Sequence, residues 1–529
     1  MESHGNPKTE RTGRRVLLLD TQDRMWGEAP PPDQMPINLN LGLLAAGTLL
    51  RQDGFEVGWV DPFVDADWPD RIRAFLADGE TAMAMISVTT SSLRSGLEVA
   101  RAVRHADPAV PIVWGSFHRG FYGPFVELYP EVALRHDLVD YVVLGDEYTA
   151  RDLARHLAAG EPAETWRRDV RGIGYAEGGE AVFTDPIDPA SERPCIEEDY
   201  NLVDLEKYLI RPGIELARDG RMKRVLPIST GEGCPYRCSF CINSAPGHRK
   251  RFRLKPAETI IRQVETAVER HGAEVLWFQD DNLFAKRDRA FALFDAIEQR
   301  GWEFQWAGQG RLNYFSEAYI RDDWFKRITR NCLWFGVGFE TASDRLRARY
   351  NKHVTRAMLQ RVARLCHDSG VLLAVAFIVG TLEETRAEML ETVRYILDVK
   401  ERFPYTSITY QPYRPYPGST EYEKLRAAGF LPPEPETLEA WADRAVSFGD
   451  YSGHAWLDAD GRKALMPHLL RIVSFFNVER RPTAAMPPAE RLYHGVRRRV
   501  ARWRLEHDWW HAAIEEYLDM AVRRCRRRR

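Results

Sequence analysis

Cysteine is scarce in this sequence, and its distribution is uneven. Only seven of the 529 residues are cysteines. Three of them cluster at positions 234, 238 and 241, and the others are scattered, at Cys195, Cys332, Cys366 and Cys525. Small secreted domains depend on many paired cysteines, so this pattern excludes a disulfide framework. It predicts a protein of the reducing cytoplasm.

A strong net charge and long apolar runs are also missing. The formal net charge is −3, which gives no general attraction to nucleic acid or to an anionic membrane. No basic start followed by an apolar stretch marks a signal peptide. The longest apolar run, Val371 to Val379, is far shorter than the roughly 20 residues of a membrane span. With 44% hydrophobic and 29% charged residues, we expect a globular protein with no transmembrane segment and no nucleic-acid partner.

Neither the G-x-G-x-x-G motif of dinucleotide-binding sheets nor the G-x4-G-K-[ST] motif of P-loop proteins follows a predicted strand. Binding of a dinucleotide or of a nucleotide in a P-loop is therefore not supported. The first 150 residues nevertheless alternate short apolar runs with helical periodicity, which predicts a doubly wound, Rossmann-like parallel sheet. Ligands of such sheets bind beyond the carboxyl ends of the strands. The small and polar residues there are Ser87, Thr89, Ser91, Gly115, Ser116, Gly145 and Glu147.

Three further regions follow this domain. Residues 151–222 are rich in glycine, proline and aspartate and are predicted to be a linker with short strands. Residues 223–430 contain six strand–helix units, which predict a partial (β/α)6 barrel with its functional residues at the carboxyl ends of the strands. Residues 431–529 open with three prolines and are predicted to be a mostly helical cap that shapes the substrate pocket. They end in an arginine-rich tail, predicted to be solvated.

The first barrel strand leads into the segment GEGCPYRCSFC, in which Cys234, Cys238 and Cys241 have C-x3-C-x2-C spacing. Three thiolates would leave one iron of a [4Fe-4S] cluster without a protein ligand. Such an open position lets a substrate or cofactor bind the metal directly. The alternative is a structural zinc site, which needs four ligands. Only His248 is a nearby fourth candidate, and a second C-x2-C pair is absent.

This spacing, with Tyr236 and Phe240 between the cysteines, resembles the signature of the radical SAM superfamily. Segments 336–344 (GVGFETASD) and 379–385 (VGTLEET) are similar to motifs after the fourth and fifth strands of that family. The resemblance implies that the open iron binds S-adenosylmethionine (SAM) and that one electron from the cluster cleaves it to a 5′-deoxyadenosyl radical. It also implies that SAM is held by residues beside the cluster and at the strand ends: Phe240, Asp280, Asp281, Arg311, Glu340 and Glu384.

Segments 36–46 (PINLNLGLLAA) and 142–148 (VVLGDEY) resemble the cobalamin-binding domain of B12-dependent radical SAM enzymes. The resemblance implies that cobalamin lies on the strand-end residues of the first domain, together with Gln22. Many B12 proteins carry a cobalt-binding histidine in a D-x-H-x-x-G motif after the first strand. Gln22 stands at that position here, so a histidine from this loop is not expected below the cobalt.

The resemblance implies a C-methyltransferase that acts on an unactivated carbon of a small molecule, such as a secondary metabolite. One SAM would supply the methyl group through cobalamin, and a second would supply the radical that removes a substrate hydrogen. A reductase or flavodoxin-type donor would provide the electron. The alternatives are a cobalamin-dependent cyclase or rearrangement enzyme and a non-methylating iron–sulfur electron carrier or effector-binding protein. A methylthiotransferase is disfavoured because no cysteine precedes Cys195.

Overall fold

A computed structural model of the chain describes residues 13–21, 39–117, 124–187, 193–208, 223–245, 252–444, 453–477 and 488–510. Within these ranges the chain forms one seven-stranded sheet, one six-stranded sheet and a two-stranded ribbon. Helices surround the two large sheets, and the last three helices follow the second sheet. The predicted α/β class, with two parallel sheets and a helical C-terminal region, is confirmed.

The first sheet contains β1 (Arg15–Asp20), β2 (Glu56–Val60), β3 (Thr81–Ser87), β4 (Ile112–Gly115), β5 (Tyr141–Val143), β6 (Ile173–Glu177) and β7 (Glu180–Phe183). Its order is β2-β1-β3-β4-β5-β6-β7, and β1 to β5 are parallel. All seven residues of β3 are buried, because helices cover both faces of a doubly wound sheet. Those helices are α1 (Leu41–Gln52), α2 (Trp68–Leu76), α3 (Leu93–Ala106), α4 (Phe125–Leu128), α5 (Pro130–Leu134), α6 (Glu147–Ala159) and α7 (Ala163–Trp166).

The first part of the predicted linker extends this sheet. Strands β6 and β7 form an antiparallel hairpin, and β6 pairs antiparallel with β5. Gly178 and Gly179 form the hairpin turn, and both have positive φ angles, which glycine adopts without strain. Between residues 193 and 208 the chain forms only two short 3₁₀ turns.

The second sheet has six strands, all parallel, in the order β15-β14-β13-β12-β11-β8. These are β8 (Val225–Ile228), β11 (Val275–Phe278), β12 (Gln305–Gly310), β13 (Cys332–Glu340), β14 (Leu372–Val379) and β15 (Thr406–Pro412), and between β8 and β11 lies the ribbon of β9 (Gly231–Glu232) and β10 (Arg253–Leu254). Helices α8 (Ala257–Glu265), α9 (Arg287–Arg300), α10 (Asp322–Ile328), α11 (Asp344–Arg349), α12 (Arg356–Asp368), α13 (Arg386–Arg402) and α14 (Thr420–Ala427) connect the strands or follow the last one. Thr385 caps α13 with a capping box that includes Glu388. This regular alternation is the predicted six-unit partial barrel.

The C-terminal helices pack on both sheets. Helix α15 (Leu438–Arg444) returns to the first domain, where it packs against α3. Its Trp441 ring contacts the rings of Phe125 and Tyr129, with centroids 5.6 and 4.4 Å away. Helix α16 (Arg462–Phe476) packs on α13 and β15, and α17 (Pro488–Glu506) packs on α16.

Across the ranges that the structure covers, every helix is either too short or too polar to pass through a bilayer. This finding agrees with the expectation from the short apolar runs of the sequence. The predicted tail at 523–529 lies outside the described residues.

Candidate cofactor site

The three clustered cysteines lie on the loop that follows the β9 strand. Gly233, immediately before Cys234, has φ = 74°, a conformation that glycine tolerates best. The loop then turns back on itself, because the Cys241 N–H donates to the Cys238 carbonyl at 2.9 Å. The loop starts from strand β9, which pairs antiparallel with β10, so that Glu232 lies opposite Arg253. The three free thiols are thereby gathered at the carboxyl end of β8.

Burial disfavours the thiolate forms of these side chains. Desolvation raises the pKa of Cys234, and it raises the pKa of Cys241 to about 12. The nearby Asp281 carboxylate adds to both shifts. A bound metal reverses this preference, because its positive charge deprotonates a coordinating thiol outright.

Among the described residues, no three His, Cys, Asp or Glu side chains converge on a point that a single metal ion could occupy. A four-iron cluster does not require such convergence, because its cysteine ligands bind different irons. Three cysteines are one ligand short of a closed structural zinc site, whereas they suit a four-iron cluster with one open iron. His248, the predicted alternative ligand, lies outside the described residues.

Two side-chain N–H donors point at the thiol sulfurs. Asn282 Nδ2 lies 2.8 Å from Cys234 Sγ, and an Arg311 guanidinium nitrogen lies 3.2 Å from Cys238 Sγ. The Arg311 guanidinium also stacks on the Tyr236 ring, 3.7 Å from its centroid, and donates to the Lys352 carbonyl. Arg311 was predicted to contact SAM, and the structure brings it to the cysteine loop. Asn282 was not singled out from the sequence.

Glu340 and Phe240 both lie close to the Lys352 ammonium. The Lys352 ammonium is 2.7 Å from Glu340 Oε1 and 5.7 Å from the centre of the Phe240 ring. Glu340 ends β13 at a bulge, and its φ of 73° is unusual for a residue other than glycine. Such strained backbone persists only where the surroundings hold it. Here the buried ion pair to Lys352 fixes the carboxylate.

The two predicted aspartates at the end of β11 have different surroundings. Asp280 is buried, and its carboxylate accepts hydrogen bonds from the Thr230 N–H at 3.0 Å and the Thr230 hydroxyl at 2.6 Å. Burial raises the pKa of Asp280, although these hydrogen bonds oppose the shift. Asp281 is half-buried and close enough to the cysteines to raise the pKa of both Cys234 and Cys241. Of the two, Asp281 therefore borders the cysteine loop.

Glu384 lies after β14 and is only 1% exposed. One carboxylate oxygen accepts a hydrogen bond from the Gly380 N–H at 2.5 Å, and the other oxygen has no hydrogen-bond partner. Desolvation raises the pKa of Glu384 to about 8. Helix α16 is bonded to the loop between β14 and α13. Its Arg462 donates to the carbonyls of Thr381 and Leu382, each at 3.3 Å.

The raised pKa of Glu384 predicts a pH-dependent stability. The folded protein holds this proton more tightly than the unfolded chain, whose carboxyl has its ordinary value of 4.5. The contribution is therefore complete below about pH 4.5 and is lost as the pH rises to about 8. We expect the free energy of unfolding to fall by up to about 1.4 kcal/mol per pH unit across this window. Glu384→Gln should remove that slope in urea titrations.

A neighbouring carboxylate provides the control for this prediction. Glu383 is half-buried and forms an ion pair with Arg349 at 2.9 Å. The Glu383→Gln variant should keep the slope of the unmodified protein. If Glu384→Gln and the unmodified protein showed the same pH dependence, the protonated state assigned to Glu384 would be wrong.

The strand-end residues of the first sheet form a connected polar cluster. Asn40 Nδ2 donates to Ser87 Oγ at 3.1 Å and to Asp20 Oδ1 at 2.9 Å. The hydroxyls of Thr89 and Ser91 are 3.3 Å apart, and Ser116 Oγ donates to the Val88 carbonyl at 3.1 Å. The structure therefore brings the predicted serines and threonine to one edge. Asn40, which caps α1, was not predicted as a site residue. Its segment, 36–46, was interpreted only for its resemblance to the cobalamin-binding domain.

Two glycines at this edge are required by close packing. A Cβ on Gly115 would lie 2.2 Å from the Phe117 ring, and a Cβ on Gly145 would lie 2.1 Å from the Thr149 hydroxyl. Either clash would force a neighbouring element to move. Gln22, the remaining predicted cobalamin contact, lies outside the described residues.

Arg253 joins the first sheet to the ribbon beside the cysteine loop. Its guanidinium lies 3.3 Å from the Glu147 carboxylate and 3.5 Å from Asp146, both of which follow β5 in the first sheet. The same guanidinium donates to Glu232, two residues before Cys234. The predicted strand-end residue Glu147 is thus bonded to the ribbon that carries the cysteines. This contact places the edge of the first sheet against the cysteine loop.

Comparisons with known proteins agree with this architecture. Residues 228–396 match the model of the radical SAM superfamily. An uncharacterized methyltransferase of Pyrococcus horikoshii is 25% identical over 427 residues, which cover 80% of this chain and 83% of that protein. The anaerobic magnesium-protoporphyrin IX monomethyl ester cyclase of Rubrivivax gelatinosus is 22% identical over 387 residues, which cover 71% of this chain and 64% of the cyclase.

Two solved structures share the fold. The cobalamin-dependent SAM radical enzyme OxsB, solved with aqua-cobalamin and SAM, superposes with a TM-score of 0.65 at 16% identity, over 96% of this chain and 74% of OxsB. The radical SAM methyltransferase TsrM of Kitasatospora setae, solved with cobalamin and a [4Fe-4S] cluster, gives a TM-score of 0.60 at 17% identity, over 80% of this chain and 76% of TsrM. The cysteine loop lies within the family match, and both sheets lie within the likeness to OxsB. The chain thus carries a radical SAM domain at residues 228–396 and has the overall fold of the cobalamin-dependent radical SAM enzymes OxsB and TsrM.

Proposed function

We propose that this enzyme is a cobalamin-dependent C-methyltransferase that methylates a carbon of a small molecule. The contact made by Arg253 is the observation that carries the proposal. It bonds Glu147, at the strand-end edge of the first sheet, to Glu232, beside the cysteine loop. Two cofactors that act on one substrate must lie near each other, and this arrangement supports such a shared site.

We assign separate groups of residues to the iron–sulfur cluster and to SAM. Cys234, Cys238 and Cys241 would hold the [4Fe-4S] cluster and leave one iron open. SAM would lie between this loop and the strand ends, within reach of Phe240, Asp281 and Glu340. Asp280, Arg311 and Glu384 already bond to protein groups, and we propose that they shape the SAM pocket from behind.

Cobalamin would occupy the polar edge of the first sheet. The residues that would face it are the strand-end group Ser87, Thr89, Ser91, Gly115, Ser116, Gly145 and Glu147. When bound, these cofactors supply the radical and methyl-transfer chemistry, and the protein binds, orients and excludes water. Burial of Cys238 and of Glu340 supports the exclusion of water. A reductase or flavodoxin-type protein would supply the electron.

Methyl transfer is favoured over the alternatives by the similar proteins. The Pyrococcus horikoshii relative, described as a methyltransferase, aligns over most of both chains, and TsrM is a methyltransferase with the same fold. TsrM has been solved with tryptophan as its substrate, which supports a small-molecule substrate here. A second candidate is a cyclase or rearrangement enzyme, because the Rubrivivax gelatinosus cyclase is also similar.

The test begins with cofactor content. The protein would be purified without oxygen, supplied with iron, sulfide and hydroxocobalamin, and assayed for bound metal and corrin. We expect about four irons and about one cobalamin per chain. A cluster without cobalamin would overturn the proposal and reduce the first sheet to a substrate or regulatory domain. With both cofactors present, transfer of a labelled methyl group from SAM to a product distinguishes methylation from cyclisation.

A further inference from the structure

The two N–H donors beside the cysteines are both buried. Asn282 is 4% exposed, and its amide nitrogen is 2.8 Å from Cys234 Sγ. Arg311 is 6% exposed and is clamped between the Tyr236 ring and the Lys352 carbonyl while it reaches Cys238 Sγ at 3.2 Å. Neither side chain can turn away without losing these buried contacts.

The three cysteine sulfurs receive different hydrogen-bond donors. Cys234 and Cys238 each receive a side-chain donor, from Asn282 and Arg311. Cys241 has a backbone hydrogen bond from Asn243, as Cys234 has from Tyr236. Backbone donors follow from the loop itself, whereas the side-chain donors come from strand ends more than 40 residues away in sequence. The fold therefore adds two donors that the cysteine motif does not contain.

Hydrogen bonds to ligand sulfurs are one of the means by which a protein sets the reduction potential of an iron–sulfur cluster. The reduced cluster carries one more negative charge than the oxidised cluster, so an N–H donor stabilises the reduced form more. The Arg311 guanidinium adds a full positive charge in a water-poor site, where its field is weakly screened. Both groups act in the same direction.

We propose that Asn282 and Arg311 are positioning residues that raise the reduction potential of the cluster through N–H···S bonds to Cys234 and Cys238. The electron comes from an external one-electron reductant and enters the cluster, and no bond is formed or broken at either side chain. The inference rests on the radical SAM domain alone and does not depend on cobalamin or on methyl transfer.

The test is a redox titration of the reconstituted protein, followed by the electron paramagnetic resonance signal of the reduced cluster. In Asn282→Leu, which has a similar volume but no donor, we expect the ratio of reduced to oxidised cluster at a fixed poise to fall about tenfold. For a one-electron couple that change corresponds to about 59 mV. Arg311→Met, which removes a charge, should lower the ratio further. A cluster that titrates like the unmodified one in both variants would overturn the proposal.

The control is Asn477→Leu. The Asn477 amide bonds both backbone groups of Ile408, at 2.7 and 2.8 Å, and touches no cysteine. Its loss should lower stability but leave the potential unchanged. If Asn282→Leu binds less cluster, Asn282→Asp decides, because it keeps the side-chain shape and replaces the amide donor with a carboxylate oxygen. Failure of both Asn282 variants to bind a cluster, while Asn477→Leu binds one, would overturn the proposal and assign the amide a purely structural role.

Discussion

Replacing Cys234 by alanine is expected to abolish SAM cleavage. The variant keeps two of the three thiolates, and a four-iron cluster with two vacant irons is neither stably held nor correctly placed. The measurement is the yield of 5′-deoxyadenosine from SAM with dithionite as reductant, together with the iron content. We expect no cleavage above background and less than half of the normal iron content.

Two other cysteines provide the controls for this result. Cys332 and Cys366 are buried in the core of the barrel, and desolvation raises the pKa of both thiols. Their alanine variants remove a small buried group, which costs stability but does not touch the cysteine loop. Cys332→Ala and Cys366→Ala should therefore still cleave SAM. Loss of both cleavage and bound iron in either variant would mean that the cluster ligands are misassigned.

The second large effect is expected from Arg253→Met. The side chain is 14% exposed and serves three carboxylates, those of Asp146, Glu147 and Glu232. Removal of the guanidinium would take its positive charge away from three neighbouring carboxylates, although Asp146 would keep its ion pair with Arg193 at 2.7 Å. Breaking a buried ion pair in this way typically costs about 3–5 kcal/mol. We expect a loss near the lower end of this range in urea unfolding followed by tryptophan fluorescence.

A second arginine of the same domain gives the matched comparison. Arg262 pairs with Glu197 at 3.2 Å, but both side chains are more than one third exposed. Arg262→Met should therefore cost less than about 1 kcal/mol. In the double variant Arg253→Met/Glu147→Gln, part of the lost stability should return because one of the neighbouring negative charges is gone. Equal effects of Arg253→Met and Arg262→Met would argue against a bond between the first sheet and the ribbon at Arg253.

The sequence predicted the elements of the fold well, because their signals are local. The β3 strand is buried throughout, and α1 is buried from Leu41 to Leu50 and ends two residues before Gly54. The clustered cysteines were equally easy to predict as ligands, because a ligand set with fixed spacing lies within one short segment. Such features need no knowledge of distant partners.

The contacts of the site were harder to predict, because they join residues that are far apart in sequence. Arg253 was not singled out from the sequence, and its partner Glu147 lies 106 residues earlier. Asn282 and Cys234 are 48 residues apart. Asp280 was predicted to contact SAM from its place after a strand, but both of its oxygens bond to Thr230. Its role toward SAM stays a prediction, as do those of the other strand-end residues.

The return of helix α15 to the first domain has a consequence for how the chain folds during synthesis. Trp441 covers Phe125 and Tyr129, and Asp443 pairs with Arg94 at 2.6 Å. The first domain therefore emerges from the ribosome some 300 residues before the helix that completes its surface. Nascent domains with exposed apolar surface are prone to aggregation. The earliest part of this chain thus depends on one of its latest parts, and the N-terminal domain is expected to need residues up to about 444 to remain monodisperse when it is produced separately.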